Sequence, residues 1–380
     1  MLQANEIRSV HNLYSVSGRS VGSAGRRHFL VAHALRLSVA TATDMKLEAT
    51  FVRHGSDQGV SETGSLISKP ESPRPRLGLA LSSGGAKGLA HIGVIQVLEE
   101  NGIHIHAIAG SSMGAYVAAV WAYGYDGASM EKFAREVEGR WGFLHLLDPV
   151  LLPRLGLLRG EKTRLRLQEA IGDAHFSELA RPLRIVATDL HTLERVVLTE
   201  GEVARAVQAS AAIPGVCAPV VVGERVLFDG GVVDPLPVDI AREMGVDCVI
   251  AVNVIPTPAY LRCRIEFEQE QLAIRHARLG RLARFFRRTR DHFAGLNVFD
   301  IMHRTMLGAQ MRLAEHSGRH ADLILRPLSL DGRWHDFHHP GKYIALGRRT
   351  AEEHLDEIKA LIWRHTHEHA AAQNKMDVAA

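Results

Sequence analysis

A chain of 380 residues, 46% of them apolar, has length and hydrophobic content for one large domain or two modest ones. Its 45 basic and 42 acidic side chains leave a formal charge of only +3, which gives no reason to expect nucleic-acid binding. Cys217, Cys248 and Cys263 show no CxxC spacing, which excludes a disulfide framework and fits a reducing, cytoplasmic setting; no apolar run approaches the roughly eighteen residues that span a bilayer, so lipid is met from the water side, peripherally.

In chain order, the first 44 residues are poor in acidic groups, carry Arg8, Arg19, Arg26, Arg27 and Arg36 among serines, and hold one apolar patch from Phe29 to Ala40. That mixture has some transit-peptide character. A disordered extension, or an over-long start with Met45 as the real initiator, is favoured because no secretory cleavage pattern follows the patch. Residues 56–76 are rich in Gly, Ser and Pro and read as a linker, so residues 1–75 are expected to be a disordered extension and the folded part to begin near Arg76.

From there strands and helices alternate. Leu77 to Leu81 reads as a strand, Gly88 to Glu100 as a helix, His104 to Ala109 as a strand and Met113 to Tyr123 as a helix, the pattern of an α/β sheet. Leu89, Ile92, Ile95 and Leu98 form one apolar stripe, and Gly102 is placed to end that helix. Leu183 to Ala187 and Arg195 to Leu198 follow as strands, Glu202 to Ala211 as a helix, Val220 to Phe228 as a strand pair around Gly223, and Val246 to Val254 as a buried strand. The catalytic core is expected over residues 76–258, with a mainly helical part over 259–365 packed on it and a tail over 366–380. That helical part predicts a helix from Arg262 to Ala294, a second from Val298 to His316, a short strand at Asp322 to Leu325 and a helix from Lys342 to Trp363.

Three short motifs carry the chemistry. Ser83-Gly84-Gly85-Ala86-Lys87-Gly88 lies between a strand and a helix, where glycines bring backbone amides close to an anion, either a phosphate or an oxyanion. A dinucleotide site is disfavoured because the next strand runs into Gly110-Ser111-Ser112 instead of an acidic ribose ligand, and a phosphate loop because Gly88 stands where Ser or Thr would bind magnesium. The second motif, Gly110-Ser111-Ser112-Met113-Gly114, also joins a strand to a helix, the context of a nucleophile elbow, and its spacing selects Ser112. Asp229-Gly230-Gly231, taken alone, is an ordinary turn.

Together with Leu79 to Glu99 and Ala209-Ser210-Ala211-Ala212-Ile213-Pro214-Gly215, these motifs resemble the bacterial patatin-like phospholipases, the group that includes neuropathy-target-esterase relatives. The likeness is strong from Arg76 to Val254 and weaker to about residue 360, and it implies a patatin-like three-layer sandwich with a mostly parallel sheet and helices on both faces. By position it implies Ser112 as nucleophile, Asp229 as its partner in a two-residue catalytic pair, and Gly84, Gly85, Ala86, Lys87 and Gly88 as the oxyanion hole, with Gly110, Gly114, Gly230 and Gly231 supporting the turns. Ser83 replaces the first glycine of the usual loop and Lys87 stands where arginine is also common; neither change removes a backbone donor.

The resemblance implies a lipid acyl ester as substrate and no cofactor or metal. An ordinary aspartate, with a pKa of about 4, is a poor base towards a hydroxyl, so burial is required to raise it. A serine, histidine and acid triad through His91 or His191 is the rival arrangement, but His91 reads as a packed helix residue and His191 as part of a turn; Asp189 and Asp234 read as turn and capping residues. His335, His338 and His339, like His365, His367 and His369, lack further ligands at convincing spacing. Arg275, Arg278, Arg281, Arg284, Arg287 and Arg288 accompany Leu279, Leu282, Phe285, Phe286 and Phe293, so this helix either meets an anionic membrane or packs an apolar stripe on the core. Thioesterase or acyltransferase chemistry on the same acyl-serine, and a non-catalytic membrane-associated adaptor, are the alternatives.

Overall fold

The computed structural model describes residues 75–139, 147–150, 156–277 and 298–379. The expected extension up to residue 74 and the arginine-rich stretch from Arg278 to Arg290 lie outside the described residues. Strands β1 (Leu77–Leu81), β2 (Ile105–Ser111), β3 (Leu183–Asp189), β4 (Arg195–Leu198), β5 (Val220–Val222), β6 (Arg225–Asp229), β7 (Cys248–Val252) and β8 (Leu323–Leu325) form one sheet in the order β5-β6-β3-β2-β1-β7-β8, with β4 on β3. The pairs β3/β2, β2/β1, β1/β7 and β7/β8 are parallel, and β4, β5 and β6 pair antiparallel at one side.

Strands β1 and β7 are apolar throughout because both their faces are covered. In β1, Leu77, Leu79 and Leu81 enter one core and Ala80 the other; β7 divides the same way, with Cys248, Ile250 and Val252 against Val249 and Ala251. Helices α1 (Ala90–Glu100) and α2 (Met113–Tyr123) cover the first face with Ile92, Ile95, Val117 and Trp121. The second face is covered by Leu236, by Val238 and Ile240 of α6 (Val238–Arg242), and by Met311 and Ala314 of α8 (Val298–Gly318). This is the three-layer α/β sandwich that the motifs implied.

Local chemistry ends the helices where expected. Gly102, at φ +63°, stops α1 as its amide donates to Glu99 O at 3.0 Å while that of Ile103 reaches Leu98 O at 2.9 Å. Two further helices start behind aspartate caps: α3 (Gly127–Arg135), whose Ser129 amide donates to Asp126 at 2.7 Å, and α4 (Glu161–Ile171), whose Glu161 amide donates to Asp148 at 2.7 Å. The short helix α5 (Val203–Ser210) follows β4.

Two expectations in the C-terminal part change. The backbone of α7 (Pro258–Ala277) begins earlier than Arg262, and its predicted continuation to Ala294 lies outside the described residues. The predicted helix from Lys342 to Trp363 is two helices, α9 (Pro340–Glu353) and α10 (Leu355–Ala379), because the His354 ring nitrogen bonds Thr350 O at 2.9 Å and its backbone leaves the helix at ψ +10°. Helix α9 crosses α1 backbone to backbone: a Cβ on Gly93 would lie 2.0 Å from Ile344 O, and one on Gly347 would lie 1.8 Å from Ala90 O. Arg348 closes that crossing on both Glu100 oxygens, at 2.7 and 2.6 Å.

The sheet also sets where the motifs meet. β1 and β2 are parallel neighbours with Leu81 opposite Gly110, so the loops leaving their carboxyl ends emerge side by side, where ligands of open α/β sheets bind. β6 runs the other way along β3 and sets Asp229 opposite Ala187 near the same end.

Candidate active site

The elbow is held open by sterics. Ser112, between β2 and α2, has φ +54° and ψ −120°, a region that costs a non-glycine residue about 1–3 kcal/mol and persists only where its surroundings enforce it. Those surroundings are specific: a Cβ on Gly114 would lie 2.2 Å from Leu81 O, so no larger residue lets α2 start this close to β1. The Ser112 amide donates to Ser210 Oγ at 2.8 Å, and that hydroxyl donates to Val186 O at 2.6 Å, which ties the elbow to α5 and β3.

Ser112 Oγ, 117 residues away in sequence, donates to Asp229 Oδ2 at 2.7 Å, and both residues are buried. Asp229 is held on every side: Oδ1 accepts from the Gly231 amide at 2.7 Å, its carbonyl accepts from Thr188 Oγ1 at 2.8 Å, and its amide donates to Ala212 O at 3.0 Å. Burial pushes the Asp229 carboxyl up to about 6, against the opposing pull of the Ser112 hydroxyl and the Gly231 amide.

The glycine loop is narrower in donors than its five expected residues suggest. Residues Gly85–Leu89 form a 3₁₀ turn, which takes the Lys87 and Gly88 amides into its own i to i+3 bonds, and the Ala86 amide donates to Trp334 O at 2.7 Å. Among the described residues the Gly84 and Gly85 amides are left without a protein acceptor. Gly85 has φ +58°, and a Cβ there would lie 2.3 Å from Trp334 O, so glycine is required twice over.

The cleft is lined on one side by Ser83, Gly84, Gly85, Lys87, Ser112 and Asp229, and on the other by Ile213, Ile255, His303, Met306, Leu307, Gln310 and Trp334. Its volume is about 40 Å³, well below the roughly 300–1,000 Å³ of ordinary ligand pockets. Trp334 belongs to the segment 326–339 between β8 and α9, a strap across the mouth, and its indole meets the His303 ring of α8 at 5.0 Å between centroids. Burial, then the charge of Arg264, lowers the Lys87 ammonium to about 8.

The rival histidines do not join this site. His91 is fully buried in α1, where its Nε2 meets Ser82 O at 2.9 Å; burial lowers its pKa to about 4, so the ring is neutral and donates that bond. His191 is exposed, and its amide donates to Asp189 Oδ1 at 2.9 Å in a turn. Asp234 is more than the expected capping residue. Arg195 reaches its buried Oδ2 at 2.9 Å, and burial and then Asp239 push its carboxyl up to about 6. Arg275 falls on the backbone of α7, while Arg278, Arg281, Arg284, Arg287 and Arg288 lie outside the described residues.

Two contributions escaped the sequence reading. Ser210 lies in the quoted ASAAIPG stretch, yet only the fold shows its hydroxyl bridging Ser112 and Val186. The wall made by His303, Gln310 and Trp334 comes from a part of the chain where no motif points to the site.

Residues 79–242 match the family model described as Patatin-like phospholipase. An NTE family protein of Mycobacterium tuberculosis is 43% identical over 185 residues, which cover 48% of this chain and 50% of that protein. Lysophospholipase nte1 of Aspergillus fumigatus is 32% identical over 180 residues, 47% of this chain and 12% of that one. The chain therefore spans half the length of the first relative and far less of the second. Among solved structures, VipD from Legionella pneumophila aligns with a TM-score of 0.41 and 14% identity over 75% of this chain and 67% of its own.

Proposed function

We propose that the patatin-like phospholipase domain carried over residues 79–242 hydrolyses acyl esters of lipids, phospholipid or lysophospholipid, through Ser112 and Asp229. The observation that carries this reading is the 2.7 Å bond from Ser112 Oγ to a buried Asp229 carboxylate, beside the Gly84 and Gly85 amides, which have no acceptor among the described residues. The name of the fungal lysophospholipase relative supports the lipid-ester class.

In this mechanism Ser112 Oγ bonds to the acyl carbon as its proton passes to Asp229 Oδ2, and the Gly84 and Gly85 amides hold the carbonyl oxygen as it becomes an anion. Collapse breaks the ester bond, and the leaving alkoxide takes the proton from Asp229. Water then attacks the acyl-serine, gives its proton to Asp229 and releases the free acid, after which the proton returns to Ser112. A carboxyl raised to about 6 is better matched to this relay than one near 4. No histidine is needed.

We also propose peripheral contact with an anionic lipid surface. Ile265 and Leu272, one heptad apart on α7, are exposed at 53% and 45%, which favours a face that meets lipid over one packed on the core. Among the described residues no helix is long and apolar enough to cross a membrane. Sedimentation with vesicles, with and without anionic lipid, tests this, and binding indifferent to salt and to Ile265→Ser/Leu272→Ser rejects it.

The activity is tested by fatty-acid release from a panel of phospholipids, lysophospholipids and acyl thioesters, with wild type, Ser112→Ala and Asp229→Asn. Release from oxygen esters by wild type alone is expected. Thioesters as the sole substrates, or acyl transfer to an added alcohol without free acid, would move the chain to thioesterase or acyltransferase chemistry. Equal fluorophosphonate labelling of wild type and Ser112→Ala would reject Ser112 as the nucleophile.

A further inference from the structure

The strap that closes the cleft carries a second polar cluster, two residues beyond Trp334. Asp336 precedes His338 and His339 by two and three residues, and the structure turns all three side chains together. One ring nitrogen of each histidine and one Asp336 oxygen lie within 4.8 Å of one another. His339 Nδ1 meets Asp336 Oδ1 at 2.7 Å, and His338 Nε2 stands 3.3 Å from the same oxygen. Two imidazole nitrogens thus converge on one carboxylate oxygen from consecutive positions in the chain.

These distances can be compared with a metal's demands. Nitrogen and oxygen ligands about 2.0–2.1 Å from a tetrahedral zinc are roughly 3.3 Å apart. The His338 to Asp336 spacing already has that value, and the His339 pair must open by roughly 0.6 Å to reach it. The His339 side chain, 59% exposed, has room for that movement. Solvent on the same side can fill the remaining position.

The cluster is also held from behind, as metal ligands usually are. The buried Tyr343 hydroxyl lies 3.1 Å from Asp336 Oδ2 and takes part in bonds with the Arg333 main chain at 3.1 and 3.2 Å. The Gly139 amide donates to His338 O at 3.1 Å and anchors that backbone. Lys342 is the rival cation, but it is 2.9 Å from Asp331 and 4.0 Å from Asp336, and it faces Oδ2, the oxygen turned away from the histidines.

We propose that Asp336, His338 and His339 bind a divalent cation of the zinc class. Two imidazoles with one carboxylate suit zinc, cobalt or nickel and not the all-oxygen sites of magnesium and calcium. All three ligands lie within the strap, so a bound ion stiffens the same segment whose Trp334 carbonyl accepts the Ala86 amide hydrogen.

The test uses the full chain, stripped with chelator and titrated calorimetrically with Zn²⁺, and compares wild type, His338→Ala, His339→Ala, the double variant and His365→Ala as a control for the histidines of α10. Each single variant is expected to weaken one equivalent at least about tenfold. The double variant loses that equivalent and the control keeps it. Co²⁺ provides an independent reading, a visible band of a four- or five-coordinate ion in wild type that the double variant lacks. Circular dichroism equal to wild type shows that the double variant is folded. The same number of equivalents at the same affinity in the folded double variant overturns the proposal, whether or not the protein hydrolyses lipids.

Discussion

The main-chain carbonyl of Trp334 accepts the Ala86 amide hydrogen at 2.7 Å, which places the strap directly on the glycine loop beside Ser112. The same carbonyl lies 2.3 Å from where a Cβ of Gly85 would stand, so loop and strap fit only while residue 85 has no side chain. The space beneath the strap is about 40 Å³, below the roughly 300–1,000 Å³ of ordinary ligand pockets. A lipid acyl group reaches Ser112 only when the strap or α8 moves.

Removing the indole should therefore ease access. Trp334→Ala loses the contact with the His303 ring and is expected to raise the rate of fluorophosphonate labelling of Ser112 by about 3- to 10-fold, as loosening a lid does. A labelling rate at or below that of wild type, in a folded variant, shows that the strap does not limit entry.

The acid limb of the pH profile should report Asp229. Its carboxyl must be ionised to accept the serine proton, and burial holds it at about 6, so kcat/KM is expected to fall about tenfold per pH unit below that value. A profile that stays flat to pH 4.5 would mean that the base is another group or an unperturbed carboxylate.

The same burial makes the candidate base a liability for stability. The Asp229 pKa is about 6 in the fold against an ordinary 3.8, so the native state holds this proton more tightly than the unfolded chain. Its contribution is fully present below about pH 4 and is lost as pH rises through 6; the difference corresponds to about 3 kcal/mol as an upper bound. Asp229→Asn removes the buried charge at similar volume and is expected to stabilise the protein at pH 7.5 by about 1–2 kcal/mol while abolishing hydrolysis. Thermal denaturation of both proteins at pH 4 and pH 7.5 checks the sign: the advantage of the variant should shrink at the lower pH.

Ser210 should behave as a positioning residue. Ser210→Ala leaves the buried Ser112 amide and Val186 carbonyl without their shared partner, a loss of about 1–3 kcal/mol in stability. With the elbow less constrained, kcat is expected to drop about tenfold with KM little changed, and Ser210→Thr, which restores the hydroxyl, should recover part of it. If KM rises and kcat holds, Ser210 shapes the binding cleft instead.

Local patterns made much of this protein readable from its residues. The span of β1 and that of α2 follow from an apolar run and from glycines placed where the chain must turn, because such preferences act within a few residues. The GSSMG elbow was legible as a five-residue pattern between a strand and a helix, although the close approach that requires Gly114, to Leu81 O of β1, is a tertiary contact. Asp229 was different, since a lone Asp-Gly has the look of any turn and only family likeness paired it with Ser112.

The tertiary structure decided what depends on convergence. It joined Ser112 to Asp229 by running β6 antiparallel along β3, and it withdrew Ala86 from the free donors by laying Trp334 over it. It also set the side chains of the sequence neighbours Asp336, His338 and His339 to face one another. Hydrophobic periodicity encodes which face of a segment is buried, but not which distant polar atoms burial brings within 3 Å, because that choice is made by sheet order and helix packing across the whole domain.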